Sequence, residues 1–594
     1  MALGPWLQRC TPGVSSLMVI FLLTFSESFF ILYTLFVHLV IFAMPLRIFR
    51  GARLATQQIR ATLQASQQET GRDEDPPSHQ PSSADLIHVT IIPSYKESIQ
   101  TLQDTLRILA SHPLAKTTYD IFLAMEERDP SAVKVSEALI SKFRPSFLDI
   151  QYCLHPSDIP AESLGKSANV GWTATEVERK YLGRQGFRDV LVTVMDSDTH
   201  LLGTYYSLIR QRHHALRQES GLEAMTLYCA PIVFDRNAHL VPRLVRAADM
   251  GWSCSGLSCF KHPDDFRGVV FPTSVYTLPL SLVSAVGGWD TGPGAIGEDM
   301  HMMLKCYFAT NGRLNIESIP SPASMSNVTS GATGWSGWVG DHKARYFQGL
   351  RHMWGCLDSG YAVASWHQMA SSSSAGNEIA AHNFKKDDTK TRSSLGVGKA
   401  KARASKRRLA WLRNAVLFLR LFEAHILPLH ISCILLASSY YSSNLNSYNT
   451  SPYLGVVLKL TEYARTVNGI LMAICLTTAY ADFQKVCVQT KHWEMRQAGA
   501  LEPGKYSRHF KPPRHKYGVW DFALATGSAV PCLERSFNVS GKWKAYQESQ
   551  QLRRHPCGTV KGRWGINVAA GHGTRLSLFK TKDICTTCVG SMDT

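Results

Sequence analysis

The sequence predicts an α/β fold with a mostly parallel sheet, attached to transmembrane helices. Residues 86–360 alternate short apolar segments, typical of buried strands, with longer segments typical of helices. This alternation favours a parallel sheet covered by helices on both faces, with ligands beyond the carboxyl ends of the strands. A stretch from Leu17 to Met44, in which Glu27 is the only charge, is long enough to cross a bilayer core of roughly 30 Å. The predicted strands are LIHVTIIPS, TYDIFLAME, FLDIQYCL, DVLVTVMD and TLYCAPIVF.

Composition limits the class of protein. The chain has 594 residues, of which 45% are hydrophobic, so it can bury a large core. Its formal charge of +17 suits either nucleic acid or an anionic membrane surface. Because the basic residues cluster beside apolar segments, we expect a membrane and no nucleic acid. The one close cysteine pair, Cys585 and Cys588, has no second pair at zinc spacing, which favours reduced thiols over a metal site.

The N-terminal segment, residues 1–50, is predicted to be a membrane anchor. Arg47, Arg50 and Arg53 follow the apolar stretch, which by the positive-inside rule places the chain beyond them in the cytosol. A cleaved signal peptide is the alternative, but the apolar stretch is too long and no small-residue cleavage site follows it. Residues 51–85 are predicted to hold an amphipathic helix and a polar, proline-bearing linker.

Three segments follow the predicted catalytic domain, residues 86–360. Residues 361–408 end in KAKARASKRR and predict a disordered basic linker that contacts anionic lipid. Residues 409–481 hold two apolar stretches separated by an uncharged loop, which predicts a membrane hairpin; two interfacial helices are the alternative. Residues 482–594 are predicted to be a basic cytosolic tail.

Two loops are candidate ligand-binding turns. The first predicted strand ends in PSYKE, where proline and serine force a sharp exit, so Tyr95 and Glu97 would face a ligand in the crevice above the sheet. The second loop, GKSAN, precedes a helical segment, and its Lys166 and Asn169 could reach phosphate or ribose oxygens. Each signal alone is weak, since many strand-to-helix turns look similar and a loop lysine is often only solvated.

Two carboxylates follow the predicted strand that ends at Met195. Asp196 and Asp198 bracket Ser197, and alternate side chains of an extended chain lie on one face, so both can converge on one cation. A divalent ion there would bridge diphosphate oxygens and offset the charge that develops on a departing nucleotide. A solvated acidic turn is the alternative for any single D-x-D.

Two further motifs lie downstream. The glycine-rich loop GGWDTGPGAIG enters a helix at Glu298 and Asp299, where the positive helix end favours ionised carboxylates and one of them could act as a general base. Helix capping is the alternative. Gln348, Arg351 and Trp354 recur at steps of three, which places them on one helical face able to bind a diphosphate and a sugar. An amphipathic surface helix is the alternative for that stretch.

In this order, the strand-end turn, G-K-x-x-N, D-x-D, G-G-W-x(8)-E-D and Q-x-x-R resemble the membrane-bound glycosyltransferases of family 2. That family consists of inverting nucleotide-sugar transferases and includes cellulose, chitin and hyaluronan synthases and ceramide glucosyltransferases. The resemblance covers residues 86–360. It implies a cytosolic, Rossmann-like nucleotide-sugar domain of the GT-A type, a UDP-sugar donor, and Mg²⁺ or Mn²⁺.

The resemblance also implies roles for individual residues. Asp299, with Glu298 beside it, would be catalytic, Asp198 would bind the metal, and Asp196 would contact metal and donor. The other donor-binding residues would be Pro93, Tyr95, Glu97, Glu126, Lys166, Asn169, Gln348, Arg351 and Trp354.

Two positions depart from the family pattern. The second strand of the family ends in aspartate, whereas this chain has AMEERD, so Glu126 or Glu127 must substitute in binding the base. The family pattern is Q-x-x-R-W, whereas Trp354 comes three residues after Arg351 here. The predicted position of Trp354 beneath the acceptor therefore has less support than the other roles.

The predicted reaction is a single displacement. Asp299 takes a proton from an acceptor hydroxyl, and the oxygen attacks the anomeric carbon with inversion while UDP leaves. One clear span and two interrupted ones favour a lipid or glycan acceptor over a processive polysaccharide synthase, although a homo-oligomer could also form a polymer channel. An inactive membrane scaffold for another transferase is a further alternative. The predicted location is the plasma membrane, or the endoplasmic reticulum or Golgi.

Overall fold

The computed structural model describes most of the chain up to residue 498. All described residues belong to one compact unit, Met1–Ser536, and the second unit, Phe537–Thr594, lies outside them. The described ranges are 5–70, 86–181, 189–262, 265, 268–292, 294–295, 297–353, 355–374, 411–443 and 451–498.

Two sheets organise the catalytic domain. In the described residues the strands are β1 (Ile87–Ser94), β2 (Tyr119–Glu126), β3 (Asp149–His155), β4 (Val190–Val194), β5 (His200–Leu201), β6 (Thr226–Cys229), β7 (Ile232–Phe234), β8 (Tyr276–Pro279), β9 (Asn315–Ser318) and β10 (Ala323–Met325). The large sheet has the order β3-β2-β1-β4-β8-β6-β9, and the small one β5-β10-β7. In the large sheet only β8 runs antiparallel to its neighbours. The predicted mostly parallel sheet is confirmed.

The parallel strands bring two of the predicted motifs together. β1 pairs with β4 from Ile87 opposite Val190 to Ile91 opposite Val194, so the turns that follow both strands lie side by side. The strands are apolar on both faces because helices cover both: Ile91 packs into one core and Ile92 into the other.

The predicted strand TLYCAPIVF is divided between the two sheets. β6 ends at Cys229 and β7 begins at Ile232. Between them Pro231 has no backbone N–H to donate to a ladder, which ends the pairing. The chain then crosses to the small sheet, where the carbonyl of Pro231 accepts from the N–H of Ala323 at 2.9 Å.

Helices cover both faces of the large sheet, and further helices form the long apolar segments. They are α1 (Pro5–Phe25), α2 (Glu27–Thr70), α3 (Ile99–Ala110), α4 (Ala115–Thr118), α5 (Ala132–Phe143), α6 (Lys166–Tyr181), α7 (Gly203–Glu219), α8 (Arg243–Ser258), α9 (Leu280–Ala285), α10 (Glu298–Ala309), α11 (Gly334–Met353), α12 (Cys356–Ser374), α13 (Trp411–Ser443) and α14 (Pro452–Gln497).

Three helices of the described residues, α2, α13 and α14, are long and apolar enough to span a membrane. The structure differs from the predicted anchor in one respect. The apolar stretch is interrupted at Ser26, which separates α1 from α2. Glu27 therefore begins a helix, and its carboxylate accepts from the backbone N–H of Ser451 at 3.0 Å, just before α14. The charge lies at the helix ends, where it costs less than inside a bilayer.

The anchor helix packs directly on the catalytic domain. α2 continues to Thr70, so the predicted amphipathic helix is its second half. A side-chain carbon at Gly51 would lie 1.8 Å from the carbonyl oxygen of Leu257 in α8. Only glycine permits this approach, which attaches α2 to the catalytic domain.

The charges that interrupt the first apolar stretch of the predicted hairpin are paired. Glu423 of α13 accepts two hydrogen bonds from Arg47 of α2, both at 2.8 Å, and a third from Arg420 at 2.8 Å. Paired charges at a helix interface are far less costly in a membrane than isolated ones. The interruption is therefore compatible with a spanning helix.

Two predicted boundaries differ from the structure. α12 extends to Ser374, so the start of the predicted disordered linker is helical. α14 extends to Gln497, so the predicted tail begins as a helix, because side chains beyond Ala481 bond to the catalytic domain. Residues 375–410 and 499–594, which hold the rest of the linker and tail, lie outside the described residues, as do Cys585 and Cys588.

Candidate active site

The turn after β1 is held by the loop after β2. Lys96 has a left-handed backbone, with φ of 59°, which is costly for a residue with a side chain. Its N–H donates to Asp129 at 3.0 Å, which stabilises the turn. Tyr95 and Glu97 are exposed beside it, and Pro93 is half-buried. The guanidinium of Arg128 lies 4.0 Å from the centre of the Tyr95 ring, so the pair forms a flat platform.

The acidic residues after β2 have different surroundings. Glu126 is buried and accepts from Arg128, whereas Glu127 is exposed and accepts from the N–H of Ser157 at 3.1 Å. Asp129, which the sequence did not single out, contacts the turn directly. The predicted role of Glu126 in binding the base stays a prediction, and its carboxylate reaches Tyr95 only through Arg128.

The G-K loop contacts the glycine-rich loop. The N–H of Ser163 donates to the carbonyl of Thr291 at 2.8 Å, and the hydroxyl of Ser167 donates to the carbonyl of Asp290 at 2.7 Å. The amide nitrogen of Asn169 donates to the carbonyl of Ala124 in β2 at 2.7 Å, and the residue is buried. Asn169 thus anchors α6 to the sheet, and its predicted contact with the donor stays untested.

Lys166 joins the two acidic motifs. Its Nζ lies 2.7 Å from Oδ1 of Asp196 and 3.0 Å from Oε2 of Glu298. Burial alone would lower the pKa of Lys166, but Asp196, Glu298 and Asp299 outweigh it and hold the pKa above the usual lysine value. The D-x-D and E-D motifs, about a hundred residues apart in the sequence, therefore contact the same ammonium group, which remains charged.

The D-x-D turn is partly exposed and closely supported. Arg236 donates to the backbone carbonyl of Asp198, and Ser326 donates to its carboxylate from both hydroxyl and backbone. Burial raises the pKa of Asp198, the charge of Arg236 opposes the rise, and Asp196 adds to it. Glu97 is exposed as a residue, but desolvation of its carboxylate by the surrounding protein, together with Asp198 and Asp196, raises its pKa. Negative charge is therefore concentrated at this turn.

The two members of the E-D pair have different environments. Glu298 is buried, and its Oε1 accepts from Tyr276 and, at 3.0 Å, from the indole N–H of Trp289. Burial raises its pKa, with Lys166 opposing the rise and Asp299 adding to it. Asp299 is half-buried and accepts from the N–H of Ser274 at 2.9 Å. Only Asp299 combines partial exposure with a held orientation.

A buried histidine supports the start of α10. Both ring nitrogens of His301 face carboxylates, Asp358 of α12 at 2.7 Å and Asp290 at 3.0 Å. Burial lowers the pKa of His301, but the two hydrogen bonds prevail and raise it to about 9. An imidazolium donates on both sides, so it cross-links the glycine-rich loop, α10 and α12. Its position two residues after Asp299 was visible in the sequence, but its partners were not.

Gln348 and Arg351 lie in α11, which confirms the predicted helix, and Arg351, in its last turn, is close enough to Glu97 to interact with it electrostatically. The charge of Arg351 lowers the pKa of Glu97, against the larger effects of burial and the D-x-D carboxylates. Gln348 accepts from Arg345 at 2.5 Å, and Arg345 donates to the buried Asp249 at 2.6 Å. Neither Arg345 nor Asp249 was singled out from the sequence. Trp354 lies outside the described residues.

A divalent cation is compatible with the D-x-D turn. Among the described residues there is no group of three or more His, Cys, Asp or Glu arranged as a metal cluster. Magnesium bound with nucleotides commonly takes one or two carboxylates, and substrate phosphates complete its ligands. Asp196 and Asp198 supply two carboxylates, and their charges add to the desolvation that raises the pKa of Glu97. This donor set fits a cation held jointly with a diphosphate.

Residues 191–481 match the family described as Glycosyl transferase family group 2. This segment belongs to glycosyltransferase family 2. The family 2 segment begins in β4, contains the D-x-D, E-D and Q-x-x-R motifs, and extends through α13 into α14. The membrane helices are thus part of the matched segment. The turn after β1 and the G-K loop precede it.

Similar solved structures are also glycosyltransferases. A mannosyltransferase from Pyrobaculum calidifontis, in complex with GDP-Man and Mn²⁺, is 10% identical with a TM-score of 0.35, covering 77% of this chain and 99% of that one. Glucosyl-3-phosphoglycerate synthase from Mycobacterium tuberculosis, in complex with UDP, is 11% identical with a TM-score of 0.26, covering 50% and 86%. Similarity at this level identifies neither donor nor acceptor. No curated protein matches the chain.

Proposed function

We propose that this family 2 glycosyltransferase moves a sugar from a UDP-sugar to a lipid or glycan acceptor at the cytosolic membrane face, with inversion. The bridge of Lys166 between Asp196 and Glu298 is the observation that carries the proposal. It brings the donor-binding and catalytic motifs to one place at the carboxyl ends of parallel strands, where α/β sheets bind ligands.

The donor would lie between the turn after β1 and the D-x-D turn. The Tyr95 ring, stacked with Arg128, is suited to the flat face of a nucleobase. Lys166, which contacts Asp196, and Arg351, which interacts electrostatically with Glu97, are cations that suit the diphosphate. Asp196 and Asp198 would hold Mg²⁺ or Mn²⁺ together with that diphosphate. Such an ion, when bound, offsets the negative charge of the leaving group.

Asp299 is the proposed base. Glu298 is already engaged by Tyr276 and Trp289 in the interior, whereas Asp299 is half-buried and held by Ser274. The carboxylate of Asp299 accepts the proton of an acceptor hydroxyl as the new C–O bond forms. The bond from the anomeric carbon to the diphosphate breaks on the opposite face, which inverts the configuration and releases UDP.

A lipid or short glycan is the proposed acceptor. The described residues provide three helices able to span a membrane, α2, α13 and α14. A channel for a growing polymer needs a larger bundle, which the three helices of the described residues could form only by association of several copies. The helices instead hold the active site beside the membrane, since α2 packs on α8 and α14 on the small sheet.

The full-length protein in detergent provides the test. UDP-glucose, UDP-N-acetylglucosamine and GDP-mannose are each supplied with Mn²⁺, Mg²⁺ or chelator, and nucleotide release is measured. We expect release with a UDP-sugar and a loss of about 100-fold or more in Asp299→Asn. The exposed Glu137→Gln variant, on α5, is the matched control and should match the wild type.

Three results would change the proposal. Unchanged release in Asp299→Asn would refute the role of this carboxylate. Long chains in the chromatographed product would replace the single-transfer reaction with a processive one. No release from any donor would favour an inactive scaffold.

A further inference from the structure

A chain of buried hydrogen bonds leads from the D-x-D turn toward α11. Ser326 donates to the carboxylate of Asp198, and the next residue, Asn327, is 1% exposed. The side-chain amide of Asn327 donates to Oδ2 of Asp249 at 2.7 Å. Asp249 lies in α8 and is fully buried, so it connects the loop after β10 with the interior of the domain.

The second carboxylate oxygen of Asp249 extends the series of hydrogen bonds to α11. Arg345 donates to Oδ1 of Asp249 at 2.6 Å, and the same nitrogen donates to Oε1 of Gln348 at 2.5 Å. A guanidinium has no acceptor, so the amide of Gln348 must turn its oxygen toward Arg345. This orientation follows from chemistry rather than from the assignment of oxygen and nitrogen in the side chain. The NH₂ group of Gln348 then points away from Arg345.

We propose that Asp249 and Arg345 are positioning residues, which fix the amide of Gln348 so that its N–H groups donate to an oxygen of the bound substrate. The inference rests on the proposed transferase function. It adds that Gln348 contacts the substrate as a hydrogen-bond donor, through its NH₂ group. Neither Asp249 nor Arg345 touches the substrate in this arrangement.

The burial of Asp249 makes the arrangement rigid. A carboxylate that is fully buried requires compensation, and here it receives one amide and one guanidinium donor. Because the two donors come from different elements, α11 cannot move relative to the loop that holds Asp198 without breaking one of these bonds. Gln348 is therefore fixed in relation to the D-x-D turn.

Gln348→Glu separates this role from a structural one. Glutamate at this position still accepts from Arg345, so the helix keeps its contact, but it offers no N–H to the substrate. We expect Gln348→Glu to lose nucleotide release about 10- to 100-fold, as Gln348→Leu does. If Gln348 served only to hold Arg345, Gln348→Glu would be fully active, and this result would overturn the inference.

Substitutions of Arg345 test the series of hydrogen bonds one residue further from the substrate. We expect Arg345→Met to lose about as much kcat as Gln348→Leu, and the double variant to lose no more than either. Arg345→Lys keeps a cationic donor and should recover most of the activity. Lys343→Met, an exposed neighbour in α11, is the matched control. Additive losses in the double variant, or full activity in Arg345→Met, would overturn the inference.

A failure of the proposed function can be distinguished from a failure of the inference. A wild type that releases no nucleotide from any of the three donors would refute the function alone. The side-chain positions in an experimental structure of the full-length wild type and of Arg345→Met would then decide. Retention of the Gln348 orientation in Arg345→Met overturns the inference, and its loss supports it.

Discussion

The two acidic pairs of the site converge on Lys166 but are built differently. Asp196 and Asp198 follow a strand at alternate positions, and both stay partly exposed. Glu298 and Asp299 are adjacent at a helix start, so their side chains diverge: one is buried against Tyr276, and the other stays accessible. Alternate carboxylates on an extended chain can share a ligand, whereas adjacent ones at a helix start point into different environments, one buried and one partly exposed.

The supports of the two pairs also differ. The D-x-D turn is held by Arg236, a guanidinium that stays charged in proteins even though burial lowers its pKa, next to Asp235 and its partner Lys491 of α14. The E-D pair is held by His301, a cation that titrates, and by Asp358 of α12. Each pair is thus connected to a helix outside the central α/β layers. The following substitutions break these supports one at a time.

Lys166→Met should have the largest effect on nucleotide release, because it removes the cation that both pairs share. Asp196 and the buried Glu298 would face each other without compensation. We expect nucleotide release to fall about 100-fold or more and the free energy of unfolding to fall by about 2 kcal/mol. Activity and thermal unfolding in detergent, measured on one preparation, provide the check. Lys142→Met, an exposed lysine of α5, should change neither, and an active, equally stable Lys166→Met would show that the pairs are independent.

Lys491→Met should weaken the support that the D-x-D pair receives from α14, one of the three described helices long and apolar enough to span a membrane. Lys491 pairs with the buried Asp235 and donates to Ser324 at 2.8 Å. Its loss leaves an unpaired buried carboxylate, which costs about 3 kcal/mol, and we expect release to fall about tenfold.

The double variant Lys491→Met/Asp235→Asn isolates this cause. Removing the stranded charge should restore most of the free energy of unfolding. Lys485→Met lies on the exposed side of the same helix and serves as the control. A double variant as unstable as Lys491→Met would mean that Asp235 is not what Lys491 compensates.

The strand-end motifs could be predicted because they are local. Strand alternation and the D-x-D spacing follow from the period of two of an extended chain, and the sequence places them correctly. The break at Ser26 and the separation of β6 from β7 were missed, since apolar content alone marks neither. The supporting residues could not be predicted: Asp249, Arg345 and Lys491 act through partners distant in the sequence, and an isolated charge looks like a solvated surface residue.

His301→Gln should have the smallest effect at high pH, because its contribution depends on protonation. The pKa of His301 is raised from 6.5 to about 9 by its hydrogen bonds with Asp290 and Asp358, despite burial. A folded pKa above the unfolded value stabilises the protein fully below pH 6.5, and this stabilisation is lost as the pH rises through about 9. We expect a difference in free energy of unfolding between wild type and His301→Gln of about 3 kcal/mol at pH 7.

The partners of His301 do not titrate in the upper part of this window. The hydrogen bond from His301 lowers the pKa of Asp290 to about 2, and burial raises that of Asp358 to about 6. Above pH 7 the difference between the two proteins therefore reports the imidazolium alone. His367→Gln, at an exposed histidine of α12, is the control and should leave the free energy of unfolding unchanged. A difference that stays constant from pH 7 to beyond 9 would mean that His301 supports the E-D pair as a neutral side chain, and the contrast with the Arg236 support of the D-x-D turn would disappear.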